Sequence, residues 1–138
     1  MKKIFYIFLF FSFLTTITNA ANFNWTKYNT DIDGTTEWYY DKKSILKVGS
    51  YKFYWVLTNN LADIKDGEYS TINHHMVNCD TFETKWITYT GYNSPMGRGD
   101  VTFDFITPEV APESFNWEYF DPVDTIYGGL MDIVCKTR

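Results

Sequence analysis

The sequence predicts an α+β fold: a single antiparallel sheet of about five or six strands, with a C-terminal helix packed on one face and tethered by a disulfide. Three observations predict it. After the first twenty residues, the chain reads as a succession of strands separated by turn residues. Near the end, Val123, Ile126, Tyr127, Leu130, Met131 and Val134 step i, i+3, i+4, i+7, i+8 and i+11, which is one face of an α-helix. The only two cysteines, Cys79 and Cys135, fall one on the strand region and one on that helix.

The start of the chain is set apart from the rest. Met1-Lys2-Lys3, an apolar run from Ile4 to Leu14 and a small-residue end at Thr18-Asn19-Ala20 make a secretory signal peptide over residues 1–20. The apolar run is too short for a membrane helix, which needs about 20 residues. Cleavage is expected after Ala20, leaving residues 21–138 as one domain. No cysteine lies near this end to carry a lipid, so a soluble product without a stable membrane anchor is expected. In an exported chain two cysteines most simply pair; two buried free thiols are the alternative. The chain carries a formal charge of −5, and losing the signal removes two of twelve Lys and Arg and none of seventeen Asp and Glu, leaving −7. That balance argues against nucleic acid, whose binding rests on basic groups that displace counterions. It also disfavours anionic membrane surfaces.

The elements follow in order. Asn24 to Tyr28 is a short strand, and Asp31-Ile32-Asp33-Gly34 is a turn. Thr35 to Asp41, rich in β-formers, is the second strand, and Asp41 to Ile45 breaks it as a helical turn or loop. Val48-Gly49-Ser50 is a turn. Tyr51 to Asn59 is the clearest strand: Tyr51, Phe53, Trp55 and Leu57 point one way, Lys52, Tyr54, Val56 and Thr58 the other. Apolar groups on both sides place it in the middle of the sheet. Asn60 to Gly67 is a polar connection with a Leu61–Ile64 anchor. Tyr69 to Cys79 and Phe82 to Tyr92, joined by a short turn, are antiparallel neighbours. Gly91 to Gly99 reads as a loop, with three Gly and one Pro in its nine residues. Val101 to Ile106 is extended. Thr107 to Asn116, with Pro108 and Pro112, is a crossing pinned by Trp117, Tyr119 and Phe120. The helix then opens with Asp121 as N-cap, Pro122 at its first position and Asp124 in its first turn. Gly128-Gly129 is its weak point, placed away from the apolar stripe; a continuous or slightly kinked helix is expected over a last strand from Leu130 to Cys135.

Little in the residues spells out chemistry. His74 and His75 are adjacent on a strand and face opposite ways, so they do not clamp one metal. No Gly-x-Ser-x-Gly turn and no Gly-rich phosphate loop is present. The carboxylate pairs Asp31/Asp33 and Asp63/Asp66 fall in loops. No catalysis, metal or cofactor is expected. Arg98-Gly99-Asp100 matches an integrin-type tripeptide, a match common by chance. Asn24-Trp25-Thr26 fits a glycosylation sequon, of consequence only in a eukaryotic route. Aromatic residues make up 20% of the chain, either as core for a small sheet or as an exposed binding face. Tyr89, Tyr92 and Met96 near the Gly91–Gly99 stretch are the more open ones. The candidate binding loop is Tyr92, Met96, Arg98 and Asp100, since loops on a rigid scaffold commonly bind.

Trp38 to Ile45 (WYYDKKSI), Tyr51 to Asn59 (YKFYWVLTN), the strand from Tyr69-Ser70 to Asn78-Cys79-Asp80, Met96-Gly97-Arg98-Gly99 and the terminal helix ending in Cys135 resemble, in that order, the bacterial surface-adhesin protein E family. The resemblance spans nearly the whole chain after residue 20. It implies a small antiparallel sheet with the C-terminal helix docked on its concave face by the disulfide. It also implies an exported protein, and adhesion to host matrix or serum proteins in the member that named the family. That type of adhesin is lipid-anchored and uses a basic host-binding segment; this chain lacks the anchoring cysteine and is acidic. No binding residue transfers by motif. The expectation is a non-enzymatic, adhesion-type binding module of the bacterial envelope, periplasmic or at the cell surface, with a protein partner from matrix or envelope. The alternatives are a small periplasmic protein that holds a ligand or partner in an aromatic groove, and an envelope enzyme.

Overall fold

In a computed structural model of the protein, the described residues are 22–62, 67–106 and 117–138. The expected signal segment, Ile64 of the expected anchor and the expected Thr107–Asn116 crossing lie outside them. The elements are β1 (Trp25–Thr30), β2 (Thr36–Asp41), a 3-10 turn (Lys42–Ser44), β3 (Leu46–Val48), β4 (Tyr51–Asn60), β5 (Ser70–Asn78), β6 (Glu83–Ser94), β7 (Arg98–Ile106), β8 (Glu118–Tyr119) and α1 (Ile126–Lys136). Among the described residues no helix is long and apolar enough to cross a membrane.

All eight strands join one antiparallel sheet, with the main path β1-β2-β4-β5-β6-β7. Two short strands complete edges that their neighbours leave unpaired. β3 pairs with Tyr51–Phe53 of β4, next to the stretch taken by β2. β8 pairs with Glu83 and Thr84 of β6, beyond Thr88, where the pairing with β7 has ended. These two are the strands beyond the expected five or six; β3 and β8 span three and two residues and are exposed, so no periodicity marks them.

β4 lies in the middle of the sheet, and its alternation sets the two faces. Lys52, Tyr54 and Val56 lie under the helix, with His75 and Val77 of β5 beside them across the ladder. Tyr54, Val56, Val77, Leu130, Met131 and Val134 are fully buried and, with Tyr40, make the core. Tyr127 extends this core, packing edge-on to Trp38 at 4.7 Å and against Phe120 at 5.2 Å. The other face of β4 carries Tyr51, Phe53, Trp55, Leu57 and Asn59, and no helix covers it among the described residues.

The helix departs from expectation at its start. Asp121 does not cap it. Thr125 does, its Oγ1 accepting from the Gly128 N–H at 2.9 Å. Asp121 caps the turn before it, accepting from Val123 N–H at 2.8 Å, while its carbonyl takes the Thr125 hydroxyl. Pro122 and Val123 are therefore outside the helix, and Val123 is 89% exposed rather than part of the stripe. The glycines are not on an outward side either. Gly128 is buried, and a Cβ there would overlap the Asp121 backbone carbonyl; one on Gly129 would overlap the Tyr28 hydroxyl. Both belong to the first turn, where the incoming chain presses against the helix, and α1 runs on unbroken to Lys136.

Two fixtures hold the other end. The Cys79–Cys135 disulfide joins the end of β5 to the last turn. Lys52, only 6% exposed, donates from Nζ to the carbonyls of Val134 (3.0 Å), Cys135 (2.8 Å) and Thr137. A cation on the orphan carbonyls satisfies them and meets the negative end of the helix dipole. Burial lowers the Lys52 pKa, and nearby Lys47 adds to that.

Candidate functional site

The Gly91–Gly99 stretch is not a loop. β6 runs through Ser94 and β7 begins at Arg98, leaving Pro95, Met96 and Gly97 as a three-residue turn. This tip folds onto the sheet face opposite the helix. The Met96 N–H donates to Asn59 Oδ1 at 2.8 Å, and the Gly97 N–H to Ser70 Oγ at 2.9 Å. Ser70 Oγ donates in turn to the Ser94 carbonyl at 2.6 Å. Gly97 sits at φ +65°, and any Cβ on it would overlap Ile72. Met96 also has positive φ, at +62°, which an unbranched side chain tolerates better than a β-branched one. Covered by the tip, Leu57 and Ile72 are buried although they lie on the open face.

Between this tip and the segment entering β1 lies a cleft of about 410 Å³, lined among others by Phe23, Trp25, Ile72, Tyr92, Met96 and Arg98. A row of rings continues from it across the sheet. Trp25 stacks on Phe23 at 4.7 Å, Phe23 meets Trp55 at 5.2 Å, and Trp55 stacks on His74 at 4.3 Å and 9°. Phe53 follows at 6.0 Å from His74. The last contacts arise from register: Trp55 is directly opposite His74, and Phe53 opposite Met76. Such cross-strand pairs stabilise the sheet and build a flat apolar surface.

Of the four candidate residues, Tyr92, Met96 and Arg98 line the cleft together. Asp100 is not in its lining; its N–H donates to Asn93 Oδ1 at 2.8 Å, and its carboxylate accepts from Asn93 Nδ2 at 3.2 Å. Arg98-Gly99-Asp100 accordingly starts a strand rather than standing at a loop tip. Burial, with Asp104 adding, raises the Tyr92 pKa, so the phenol stays neutral. Residues that sequence reasoning missed are Asn59 and Ser70, which anchor the tip, and Phe23, Trp25 and Ile72, which line the cleft. One signal for Asn59 was available: it is the polar residue ending the apolar series Tyr51, Phe53, Trp55, Leu57.

The histidines fall on opposite faces, as adjacent strand residues must. His74 is half-buried on the open face, and desolvation lowers its pKa. His75 lies fully buried beneath the helix, near Tyr54, Trp86 and Tyr127, and its ring nitrogens meet no hydrogen-bond partner among the described residues. Burial, with His74 adding, pushes its pKa down to about 3. No group of three or more His, Cys, Asp or Glu among the described residues is placed to hold a metal ion. What the open face offers is contact area and, in the lining of its cleft, the cationic side chain of Arg98.

The family profile described as Surface-adhesin protein E matches residues 25–136. Two solved structures of Haemophilus influenzae protein E share the fold. The selenomethionine form has a TM-score of 0.53 and 15% identity, over 79% of this chain and 84% of that one. Crystal form II has a TM-score of 0.54 and 16% identity, over 80% of this chain and 95% of that one. No curated protein sequence gives a significant match.

Proposed function

The chain belongs to the surface-adhesin protein E family, and from that premise we propose that it is an exported, non-enzymatic binding protein of the bacterial envelope that engages a protein partner through its open sheet face. The observation that carries this reading is the distribution of surface. The helix and disulfide occupy one face, while the other presents the ring row Trp25, Phe23, Trp55, His74 and Phe53, leading into the cleft beside Arg98. Aromatic rings and an arginine are the groups that contribute most at protein interfaces. The clamp from Asn59 and Ser70 holds the cleft wall in place before a partner arrives, which lowers the ordering cost of binding.

Residues 1–20 act as the export signal in this reading, and the product begins at Ala21. N-terminal sequencing of the processed protein tests that step. The binding step is tested by interferometry of the processed protein against purified extracellular-matrix, serum and envelope proteins. Saturable binding to one of them, weakened about tenfold by the double variant Trp25→Ala/Arg98→Ala, is the expected result. Saturable binding that the double variant leaves unchanged sinks the placement of the surface. A second reading, a periplasmic module that stacks a planar ligand on the ring row, is favoured by the near-parallel Trp55–His74 pair. It predicts quenching of tryptophan fluorescence that Trp55→Leu abolishes.

A further inference from the structure

A second aromatic cluster lies on the helix side of the sheet, on strands β6 and β7. Tyr89 stacks on Phe105 at 5.6 Å and 8°, and Phe103 meets both edge-on, at 6.0 Å from Tyr89 and 5.9 Å from Phe105. Register produces the group: Tyr89 is paired with Phe105, and Gly91 with Phe103. Gly91 is buried and has no side chain where its neighbours do. The space above it is filled by the Glu68 carboxylate, reaching across from the residues before β5; a Cβ on Gly91 would overlap Glu68 Oε2 and come close to Thr102 Oγ1. Glu68 Oε1 accepts the Tyr89 hydroxyl at 2.6 Å. A carboxylate is thus set at the rim of a ring cluster, held by a donor and by a missing side chain. These residues line a pocket of about 340 Å³, and Glu68 is the one charged residue in its lining. Phe103 is 56% exposed, a large ring left in solvent beside that charge.

We propose that this pocket binds the guanidinium of an arginine side chain presented by a partner protein. A cation above an aromatic face is attracted by the ring quadrupole, and a carboxylate at the ring edge neutralises it. The choice of guanidinium over a quaternary ammonium follows from the polar atoms present. Glu68 Oε2 and Thr102 Oγ1 flank the same space and offer acceptors, which a quaternary ammonium has no N–H to use. A planar guanidinium can stack on Phe103 and direct its N–H groups at Glu68 at once; a lysine ammonium gains the charge contact without the stacking. The volume lies at the low end for small-ligand sites, enough for a side-chain head and not for a folded element. Negative net charge of the whole chain favours a basic partner.

The test uses the isotope-labelled, processed protein and follows amide shifts by NMR. The probes are N-acetyl-arginine amide, the lysine counterpart, the citrulline counterpart (neutral and nearly isosteric with arginine) and tetramethylammonium. Saturable shifts at Gly91, Thr102 and Phe103 are expected with arginine. They should be weaker with lysine and absent with citrulline. Glu68→Gln, which can keep the Tyr89 hydrogen bond, weakens arginine binding about tenfold. Phe103→Leu weakens it with the fold intact, as its exposure allows. Arginine and citrulline binding alike, tetramethylammonium binding more tightly than arginine, or no saturable shift at these residues overturns the proposal. None of these outcomes bears on the cleft of the opposite face, which is read through Trp25 and Arg98.

Discussion

His75 gives the sharpest prediction. It is a fully buried imidazole whose pKa falls from 6.5 to about 3 in the folded protein, because desolvation penalises its charged form. Unfolding returns it to the ordinary value. Below pH 6.5 the unfolded chain therefore binds a proton that the folded chain refuses, and folding stability falls as pH falls. The loss begins near pH 6.5 and levels off near pH 3. Each pH unit in that window is worth about 1.4 kcal/mol, so at pH 5 the expected loss is about 2 kcal/mol relative to pH 7.5. His74 shifts in the same direction, and the carboxylates titrate as well, so the His75 share is isolated by comparison with His75→Phe and His75→Leu. Urea unfolding at pH 7.5 and pH 5 measures each protein. Wild type should lose about 2 kcal/mol more than either variant across that interval. At pH 7.5 the Phe variant should be no less stable than wild type, since a ring of similar shape replaces one with unpartnered nitrogens. Equal losses in wild type and variants would refute the argument, as would a His75 ring resonance that titrates near pH 6.5 by NMR.

Three further outcomes follow from the helix and the hairpin. Reducing Cys79–Cys135 should lower stability by about 4 kcal/mol through the chain entropy of the loop it closes, read as a shifted urea midpoint; an unchanged midpoint contradicts this. Gly128→Ala should destabilise by about 2 kcal/mol despite a gain of about 1 kcal/mol in helix propensity, because the new methyl meets backbone at Asp121; a rise in melting temperature would show that the turn yields freely. Asn59→Ala should cost about 1–2 kcal/mol and raise hydrogen exchange at the Met96 amide, with Thr125→Ala, which removes the helix cap, as a control costing about 1 kcal/mol without that local effect.

Much of the architecture was legible because the signals that carry it are local. Alternation along Tyr51–Asn60 told both faces of β4, and the adjacency of His74 and His75 told that they part. The stripe Tyr127, Leu130, Met131, Val134 was readable because 3.6-residue periodicity is imposed by the helix itself. The start of that helix was misread for the same reason. Asp121-Pro122 carries a good local start signal, yet the chain uses it for a turn and begins the helix at Thr125, four residues on, where the tight packing of Gly128 and Gly129 permits the approach. The Gly91–Gly99 stretch was misread because glycine composition signals freedom of the backbone, while its use depends on what lies opposite. Here Gly97 gives way to Ile72, Gly99 to Asn93 and Gly91 to Glu68, and those partners are 25, 6 and 23 residues from them in sequence, each on another strand or segment.

By itself the sequence determined the six longer strands in outline, the body of the C-terminal helix, the sides of β4 and the two cysteines available to join sheet to helix. These depend on residues a few positions apart, whose spacing the backbone geometry converts directly into a face. The tertiary structure alone decided which pairs meet across the sheet: Trp55 on His74, Asn59 and Ser70 on the hairpin tip, Lys52 on the last helical carbonyls and Glu68 in the space above Gly91. Those meetings depend on strand order and register, including the shifts at His74/His75 and Gly91/Tyr92, and no local pattern records them.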